Sequence, residues 1–381
     1  MVSVLVVNAG SSSLKVAVFD DGLREVLAGR VTEIGSYGAR VEAGPLVGVR
    51  PVADHAAALA LILEAMEEAG IAVSGLTAAA HRVVHGGAGL VAPCRVTEAV
   101  VAEVEACVPL APLHNPANLT AIRALAALVP DLPQYASFDT AFHATNPDVA
   151  RRYALPPEAE ALGLRRYGFH GISYASTVRK VQGMGGGAVP ERLLAFHLGN
   201  GASACAIVNG RSVASTMGYS PLDGLTMGTR AGAIDGNAVL RLAEVHGVEG
   251  AGRILNRESG LLGLGGASDM RSLHRAGTVE ARFAVAHFCY WAVRHAGSLI
   301  AAMGGLDAVA FTGGIGENDR MVRGEILTGL RWAGVEFDEA ANAEGAAVLH
   351  PDGARVAIWT VPAEEERQIA MEAMAVMAGE A

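Results

Sequence analysis

The sequence has few cysteines, and none of them form a metal-binding pair. The four cysteines, Cys94, Cys107, Cys205 and Cys289, are scattered over 381 residues and include no CxxC motif. This spacing argues against a zinc site and against a disulfide framework. We interpret the cysteines as small core residues in a reducing compartment, and we therefore expect a cytoplasmic protein.

Long hydrophobic runs and dense groups of basic residues are also missing. Hydrophobic residues make up 51% of the chain, yet no uninterrupted apolar stretch is long enough to span a bilayer. The N-terminus has neither the basic region nor the apolar region of a secretion signal. The formal net charge is -10, and no dense Lys/Arg run offers a basic face to nucleic acid. We expect neither a membrane nor a nucleic-acid partner.

Glycine, in contrast, is plentiful, and two glycine-containing segments follow one pattern. Residues 2–19 and 194–208 each consist of an apolar run, a polar turn and a second apolar run, which is typical of a β-hairpin. In the second turn, Gly199 and Gly201 let the backbone pass very close to an anion. The first turn offers groups that suit phosphate oxygens: Asn8, Ser11, Ser13 and Lys15. The repeat predicts a duplicated fold that grips one ligand from two sides.

Two further candidates lie at the ends of predicted strands. Arg82 belongs to a strand at 78–84 that stops at Gly86 and Gly87. This pattern alone favours an arginine that is paired with a surface carboxylate. Asp139 follows a short apolar stretch, which is a common position for a carboxylate linked to magnesium.

Capping residues and apolar periodicity predict the longer elements. Asp54 caps a helix that Gly70 stops, and Thr97 caps another that runs to about Cys107. Residues 278–303 predict one long, mostly apolar helix, which either packs in the core or forms a subunit interface. The remaining predicted elements are strands at 308–312 and 356–361 and a final helix at 364–378.

Eight motifs together resemble the acetate kinase family, occur in that family's order and span nearly the whole chain. They are VLVVNAGSSSLK, HRVVHGG, APLHNP, FDTAFH, YGFHG, HLGNGAS, MGTR and FTGGIGEN. The resemblance implies the α/β fold that actin shares with sugar kinases and heat-shock chaperones. Such a fold has two ribonuclease H-like domains with a duplicated βββαβαβα core and an interdomain nucleotide cleft. The N-terminal domain would cover 1–145, joined by the C-terminal helix at about 367–381, and the C-terminal domain would cover 146–366 and hold the nucleotide.

The resemblance also implies roles for the residues in these motifs. Arg82 and Arg230 would clamp the acyl phosphate and the transferring phosphoryl group, because phosphoryl transfer depends on positioning and charge neutralisation. His170 would bind the equatorial phosphoryl oxygens, and His114 and His197 would support the site. The residues linked to Mg²⁺ or Mn²⁺ would be Asn8, Asp139 and Glu365. Glu365 is one of three consecutive glutamates, so the register of this match stays open. The pocket for the acetate methyl group would be formed by Val84, Leu113, Phe169 and Pro221.

For ATP or ADP, the resemblance implies two phosphate loops and an adenosine side. The first loop contributes Asn8, Ser11, Ser13 and Lys15. The second loop contributes His197, Gly199, Asn200 and Gly201. The adenosine side consists of Asp269, Met270, Arg271, Gly314, Ile315 and Asn318.

Two positions depart from the family's pattern. Residues 233–237 read Ala-Ile-Asp-Gly-Asn where Asp-x-Asp-Pro is usual. This segment follows Arg230 closely, so the change bears on phosphate or nucleotide preference. Tyr174 stands where histidine is common, and we expect that exchange to be neutral.

The resemblance implies a homodimeric enzyme that transfers the γ-phosphoryl group of ATP to acetate, reversibly and by direct in-line transfer. A propionate kinase or another short-chain acyl kinase is the nearest alternative, because one pocket methyl is worth only ~1–3 kcal/mol. A non-catalytic actin-like nucleotide switch is a more distant alternative. Arg82, Arg230 and His170 argue against it, since a switch needs no carboxylate clamp.

Overall fold

A computed structural model describes residues 3–380, and the contacts within the chain divide it into two units. Unit 1 extends to Phe142 and includes the chain again from Glu364, whereas unit 2 comprises His143–Ala363. Met1, Val2 and Ala381, which the predicted boundaries include, lie outside the described residues. The domain limits at 145 and 366 stay a prediction.

The strands of the described residues form one sheet in each unit. The sheet of unit 1 has the order β5-β4-β3-β2-β1-β6-β8-β7, and that of unit 2 has the order β11-β10-β9-β12-β13. The strands are β1 (Ser3–Ala9), β2 (Ser13–Asp20), β3 (Glu25–Thr32), β4 (Arg40–Ala43), β5 (Leu46–Val49), β6 (Ala78–Val83), β7 (Cys94–Arg95), β8 (Gln134–Phe138), β9 (Arg192–Leu198), β10 (Ala202–Val208), β11 (Arg211–Ser215), β12 (Ala308–Thr312) and β13 (Ala357–Thr360).

Helices connect these strands and follow them. They are α1 (His55–Glu68), α2 (Glu98–Ala106), α3 (Asn115–Leu128), α4 (Asp148–Arg151), α5 (Pro157–Ala161), α6 (Gly171–Met184), α7 (Gly236–Arg257), α8 (Gly260–Gly265), α9 (Met270–Ala276), α10 (Val279–Met303), α11 (Gly313–Asn318), α12 (Arg320–Gly329), α13 (Glu339–Glu344) and α14 (Glu365–Glu380). Within residues 3–380, no helix combines the length and the apolar character that a membrane span requires.

The two sheets repeat one topology, which confirms the duplicated α/β fold. In unit 1, β1, β2 and β3 pair antiparallel in sequence, and β6 and β8 then add in parallel on the other side of β1. In unit 2, β9, β10 and β11 do the same, and β12 and β13 add in parallel beside β9. Strands β4, β5 and β7 extend the sheet of unit 1 at its edges. The ends of β1, β6 and β8 therefore meet along one sheet edge.

The local signals of the sequence explain most element boundaries. The Asp54 carboxylate accepts the Ala57 backbone N–H and caps α1, while Thr97 and Thr278 cap α2 and α10 in the same way. The turn between β10 and β11 has positive φ at both Asn209 and Gly210, the conformation that an Asn-Gly turn adopts. The predicted caps at Asp54 and Thr97 are therefore confirmed, and the bonds that fix them join neighbours in the chain.

All four cysteines are free, and three of them are buried. The prediction of core cysteines without a disulfide is therefore confirmed for Cys107, Cys205 and Cys289, whereas Cys94 is half-buried.

Candidate active site

In unit 1, the ends of β6 and β8 bring Arg82 and Asp139 together. Arg82 Nε donates to Asp139 Oδ1 at 3.1 Å, and Nη2 donates to Oδ2 at 2.6 Å. The pair forms because β6 and β8 are adjacent parallel strands. The Asp139 side chain is 2% exposed, so the pattern around Arg82 was wrong to favour a surface carboxylate. A planar guanidinium with both carboxylate oxygens bound is held in one orientation.

Further oxygen atoms surround this ion pair. Arg82 Nη1 donates to Asn8 Oδ1 at 3.3 Å, at the end of β1. Burial disfavours the Arg82 charge, but Asp139, Glu365 and Glu366 outweigh it and raise the pKa of the guanidinium. Burial also raises the pKa of the Glu365 carboxyl, although the neighbouring Arg82 lowers it. The three residues predicted to be metal-linked therefore act on one arginine, which remains charged at any working pH.

The predicted first phosphate loop lies at the tight turn between β1 and β2. The Gly10 N–H donates to the Ser13 carbonyl at 2.8 Å, while Ser11 and Lys15 are exposed. Two residues that sequence reasoning missed hold this turn in place. His55 Nε2 bonds the Gly10 carbonyl at 2.7 Å. Asn118 Nδ2 donates to the Ala9 carbonyl at 2.9 Å.

Asn118 also fixes one residue of the predicted acyl pocket. Its Oδ1 accepts the Val84 backbone N–H at 3.1 Å, so one buried amide ties the first phosphate loop to Val84. Val84 is buried, and Leu113, also in unit 1, is 39% exposed. Phe169 and Pro221 belong to unit 2, where Phe169 is buried and Pro221 is half-buried.

In unit 2, His170, Arg230 and the second phosphate loop converge on Gly201. A Cβ placed at Gly201 would lie 3.3 Å from His170 Nε2 and 3.6 Å from Arg230 Nη2. Arg230 is anchored by its Nη1, which donates to the Pro221 carbonyl at 2.7 Å. The absence of a side chain at Gly201 therefore leaves a space with an imidazole nitrogen and a guanidinium beside it. Such a space suits an anionic oxygen.

The His170 ring is held on several sides. It stacks on the His197 ring with centroids 4.2 Å apart, and its Nδ1 bonds Ser203 Oγ at 2.9 Å. His197 Nδ1 in turn bonds Ser173 Oγ at 2.8 Å. His170 itself has φ of 59° at the start of α6, which is unusual for a residue other than glycine. His114, in contrast, lies in unit 1 at the start of α3.

His143 is a supporting residue that sequence reasoning did not single out, although the FDTAFH motif contains it. Its Nε2 bonds the Phe169 carbonyl at 2.9 Å, and its ring fills the space beside Gly168. Burial lowers the pKa of His143 to about 4, so the ring is neutral at pH 7. A neutral ring with Nε2–H can donate to this carbonyl and hold the backbone directly before His170.

The residues predicted to form the adenosine side lie around a cavity of about 670 Å³ in unit 2. Eight predicted residues line it: Gly199, Asn200, Asp269, Met270, Arg271, Gly314, Ile315 and Asn318. Sequence reasoning missed His274, Asp319, Arg320 and Met321, which line the same cavity. His274 Nε2 bonds Asp319 Oδ2 at 2.8 Å, and Asp269 caps α9. The volume lies in the range of about 300–1,000 Å³ that is typical of small-molecule and cofactor pockets.

The segment that departs from the family's pattern starts a helix. The Asp235 carboxylate accepts the backbone N–H groups of Asn237 and Ala238 and caps α7. Because this side chain is exposed and engaged with the helix terminus, its observed role is structural.

Comparison with known proteins adds an independent finding. The profile of the Acetokinase family matches residues 3–371. The acetate kinase of Streptomyces avermitilis is 43% identical, over 98% of this chain and 97% of its own length. The acetate kinase of Methylocella silvestris is 41% identical, with 98% of each chain covered.

Two solved structures resemble the whole chain. The acetate kinase of Porphyromonas gingivalis has a TM-score of 0.91 and 34% identity, over 99% of this chain and 100% of its own. The propionate kinase of Francisella tularensis has a TM-score of 0.93 and 32% identity, over 98% and 99% of the two chains. The predicted fold class is confirmed by these likenesses and by the repeated sheet order.

Proposed function

Since this chain belongs to the Acetokinase family, we propose that it is an acetate kinase, which reversibly transfers the γ-phosphoryl group of ATP to acetate. The products are acetyl phosphate and ADP, and the enzyme is a phosphotransferase with a carboxyl group as acceptor. The observation that carries the proposal is the space at Gly201, with His170 Nε2 and Arg230 Nη2 beside it. A transferring phosphoryl group needs preorganised donors of this kind around its oxygens.

In unit 1, Arg82 binds the carboxylate of acetate or the acyl phosphate. Its bidentate bond to Asp139 fixes the guanidinium plane, and its Nη1 edge points to Asn8. Val84 and Leu113, both of unit 1, contact the methyl group of acetate. The acetate oxygen attacks the γ-phosphorus directly and in line, so the chain needs to supply no covalent nucleophile.

In unit 2, the second phosphate loop and the adenosine side bind ATP. Gly201 admits a phosphoryl oxygen to hydrogen-bonding distance of His170, and Arg230 neutralises charge on the same group. The 670 Å³ cavity holds the adenosine. His114 and His197 support the site without touching the reacting atoms.

The residues of unit 1 fit a bound Mg²⁺ by their chemistry. Asn8, Asp139 and Glu365 supply oxygen ligands, which Mg²⁺ prefers. Mg²⁺ commonly takes one or two carboxylates and completes its shell with waters and substrate phosphates. When bound, the ion supplies positive charge to the phosphates of ATP.

We further propose a cytoplasmic homodimer. Four free cysteines are typical of a reducing compartment. Helix α10 packs one apolar side in the core, and its other side carries exposed Val279, Phe283 and Tyr290. A second copy of the chain would cover these side chains.

Phosphorylation of propionate in preference to acetate is the second candidate function. The likeness to a propionate kinase at a TM-score of 0.93 favours it, because the fold is common to both activities. In either case, the size of the pocket around Val84 sets the preference between acetate and propionate.

A hydroxamate assay tests the proposal directly. The enzyme is incubated with hydroxylamine, Mg²⁺ and acetate, propionate or butyrate, with ATP, GTP or pyrophosphate as the donor. We expect most hydroxamate from acetate with ATP. No hydroxamate from any acid would overturn the acyl kinase proposal, and turnover with pyrophosphate alone would overturn ATP as the donor.

Alanine variants test the two arginines in the same assay. Arg82→Ala and Arg230→Ala should each lose about 10²–10³ in kcat, since each removes one preorganised donor. Arg241→Ala is the matched control, because Arg241 forms an exposed ion pair with Glu244 within helix α7. An unchanged circular dichroism spectrum with wild-type turnover would exclude the tested arginine from the clamp.

A further inference from the structure

A chain of buried hydroxyl groups leads from Tyr174 to His170. The Tyr174 hydroxyl bonds Ser203 Oγ at 2.5 Å, and Ser203 Oγ bonds His170 Nδ1 at 2.9 Å. Tyr174 and Ser203 are both 0% exposed, so water does not compete for these bonds. Tyr174 lies in the first turn of α6, four residues after the N-cap residue His170, and its N–H donates to the His170 carbonyl at 3.0 Å. The start of the helix therefore places both side chains against the same serine.

The direction of donation along the hydrogen bonds from Tyr174 to Ser203 to His170 decides which nitrogen of His170 carries hydrogen. Burial raises the pKa of the Tyr174 phenol well above its ordinary value, so the hydroxyl keeps its proton. A tyrosine proton donated to Ser203 Oγ leaves the serine proton for His170 Nδ1. With Nδ1 as the acceptor, the proton of the neutral ring lies on Nε2. That nitrogen faces the space at Gly201.

We propose that Tyr174 is a positioning residue, which acts through Ser203 to keep His170 in the Nε2–H form that donates to the transferring phosphoryl group. This proposal departs from the expectation that tyrosine at this position is neutral. Without the tyrosine hydroxyl, Ser203 is free to turn and accept from Nδ1–H. Nε2 then presents a lone pair to the phosphoryl oxygen, and the lone pair repels the negatively charged oxygen.

The pH dependence separates this role from simple packing. A protonated imidazole carries hydrogen on both nitrogens, so the tautomer ceases to matter once the ring is protonated at low pH. The charged or titratable groups beside His170 in the described part of unit 2 include His197, stacked on its ring, and Arg230, across Gly201. His197 and Arg230 are present in both the wild type and a Tyr174 variant. Their effect on the pH dependence therefore cancels when the activity of the variant is divided by that of the wild type.

The test compares Tyr174→Phe with the wild type between pH 5.5 and 9. We expect kcat to fall about three- to tenfold at pH 8, the effect of one lost hydrogen bond, and the deficit to shrink towards pH 5.5. Ser203→Ala should show the same pH-dependent deficit, and the double variant should add little to it. Tyr135→Phe is the matched control, because Tyr135 is also a buried tyrosine, and its hydroxyl donates to Glu380 of unit 1 at 2.8 Å. It should keep wild-type activity.

A spectroscopic readout makes the result independent of turnover. ¹⁵N-histidine NMR at pH 8, with His170 assigned by a His170→Gln variant, should show the Nε2–H form in the wild type and a mixture in Tyr174→Phe. Wild-type kcat in Tyr174→Phe, a deficit equal at all pH values, or an unchanged tautomer would overturn the proposal. The inference rests on the proposed function, and the outcomes separate the two. An inactive wild type with a tautomer shift in Tyr174→Phe contradicts acyl transfer and supports the hydroxyl chain.

Discussion

Gly201→Ala should abolish most activity while leaving the fold intact. The new methyl group would lie 3.3 Å from His170 Nε2 and 3.6 Å from Arg230 Nη2. A phosphoryl oxygen bound to Nε2 needs a distance of about 2.7–3.1 Å from that nitrogen, so the methyl group and the oxygen compete for one space. Exclusion of the oxygen removes at least one preorganised donor, which costs about 10²–10³ in kcat. The φ of Gly201 lies outside the left-handed region, so alanine fits its backbone.

The measurement is kcat for hydroxamate formation together with the thermal midpoint. Gly252→Ala is the matched control, since it adds the same methyl group in unit 2, in helix α7, with no atom within 4 Å. We expect the control to keep wild-type kcat and Gly201→Ala to keep a midpoint close to that of the wild type. If Gly201→Ala retains kcat within about threefold of the wild type, the space at Gly201 is not where the phosphoryl group binds.

Three further predictions concern the pocket, the metal-linked carboxyl group and the buried histidines. Val84→Ala should raise the propionate/acetate ratio of kcat/KM by up to about tenfold, because it enlarges the pocket by apolar volume alone; an unchanged ratio would remove Val84 from the pocket. Glu365→Gln should raise the thermal midpoint at pH 7 but not at pH 4, because the pKa of Glu365 is raised in the folded state and its ionised form therefore costs stability only above the pKa of the unfolded chain. The same variant should raise the Mg²⁺ concentration that gives the half-maximal rate. If the midpoint and the Mg²⁺ requirement are both unchanged, the assignment of Glu365 is contradicted. Burial lowers the pKa of His81, His85 and His143 to about 4, so the unfolded chain binds more protons than the folded chain below about pH 6.5. The free energy of unfolding, measured by chemical denaturation, should therefore fall as the pH is lowered from 6.5 to 4. A free energy that does not change over this range would contradict the prediction.

The sequence by itself determined the features that depend on neighbouring residues. Asp54 and Thr278 mark helix starts, because a capping side chain bonds a backbone N–H three residues ahead. Asn209 and Gly210 mark a hairpin, because both tolerate positive φ. The repeated hairpin already indicated duplication, and the family motifs indicated an acyl kinase.

Only the tertiary structure decided which distant groups share a site. Arg82 meets Asp139 across 57 positions of the chain, and Asn118 reaches the Ala9 carbonyl across 109. Tyr174 looked neutral in the sequence, yet it bonds Ser203, 29 positions away, beside His170. Neither periodicity nor capping encodes such pairs, because they arise when the order of strands in a sheet brings remote segments side by side. The chemistry of this chain therefore depends on contacts that its local sequence pattern leaves open.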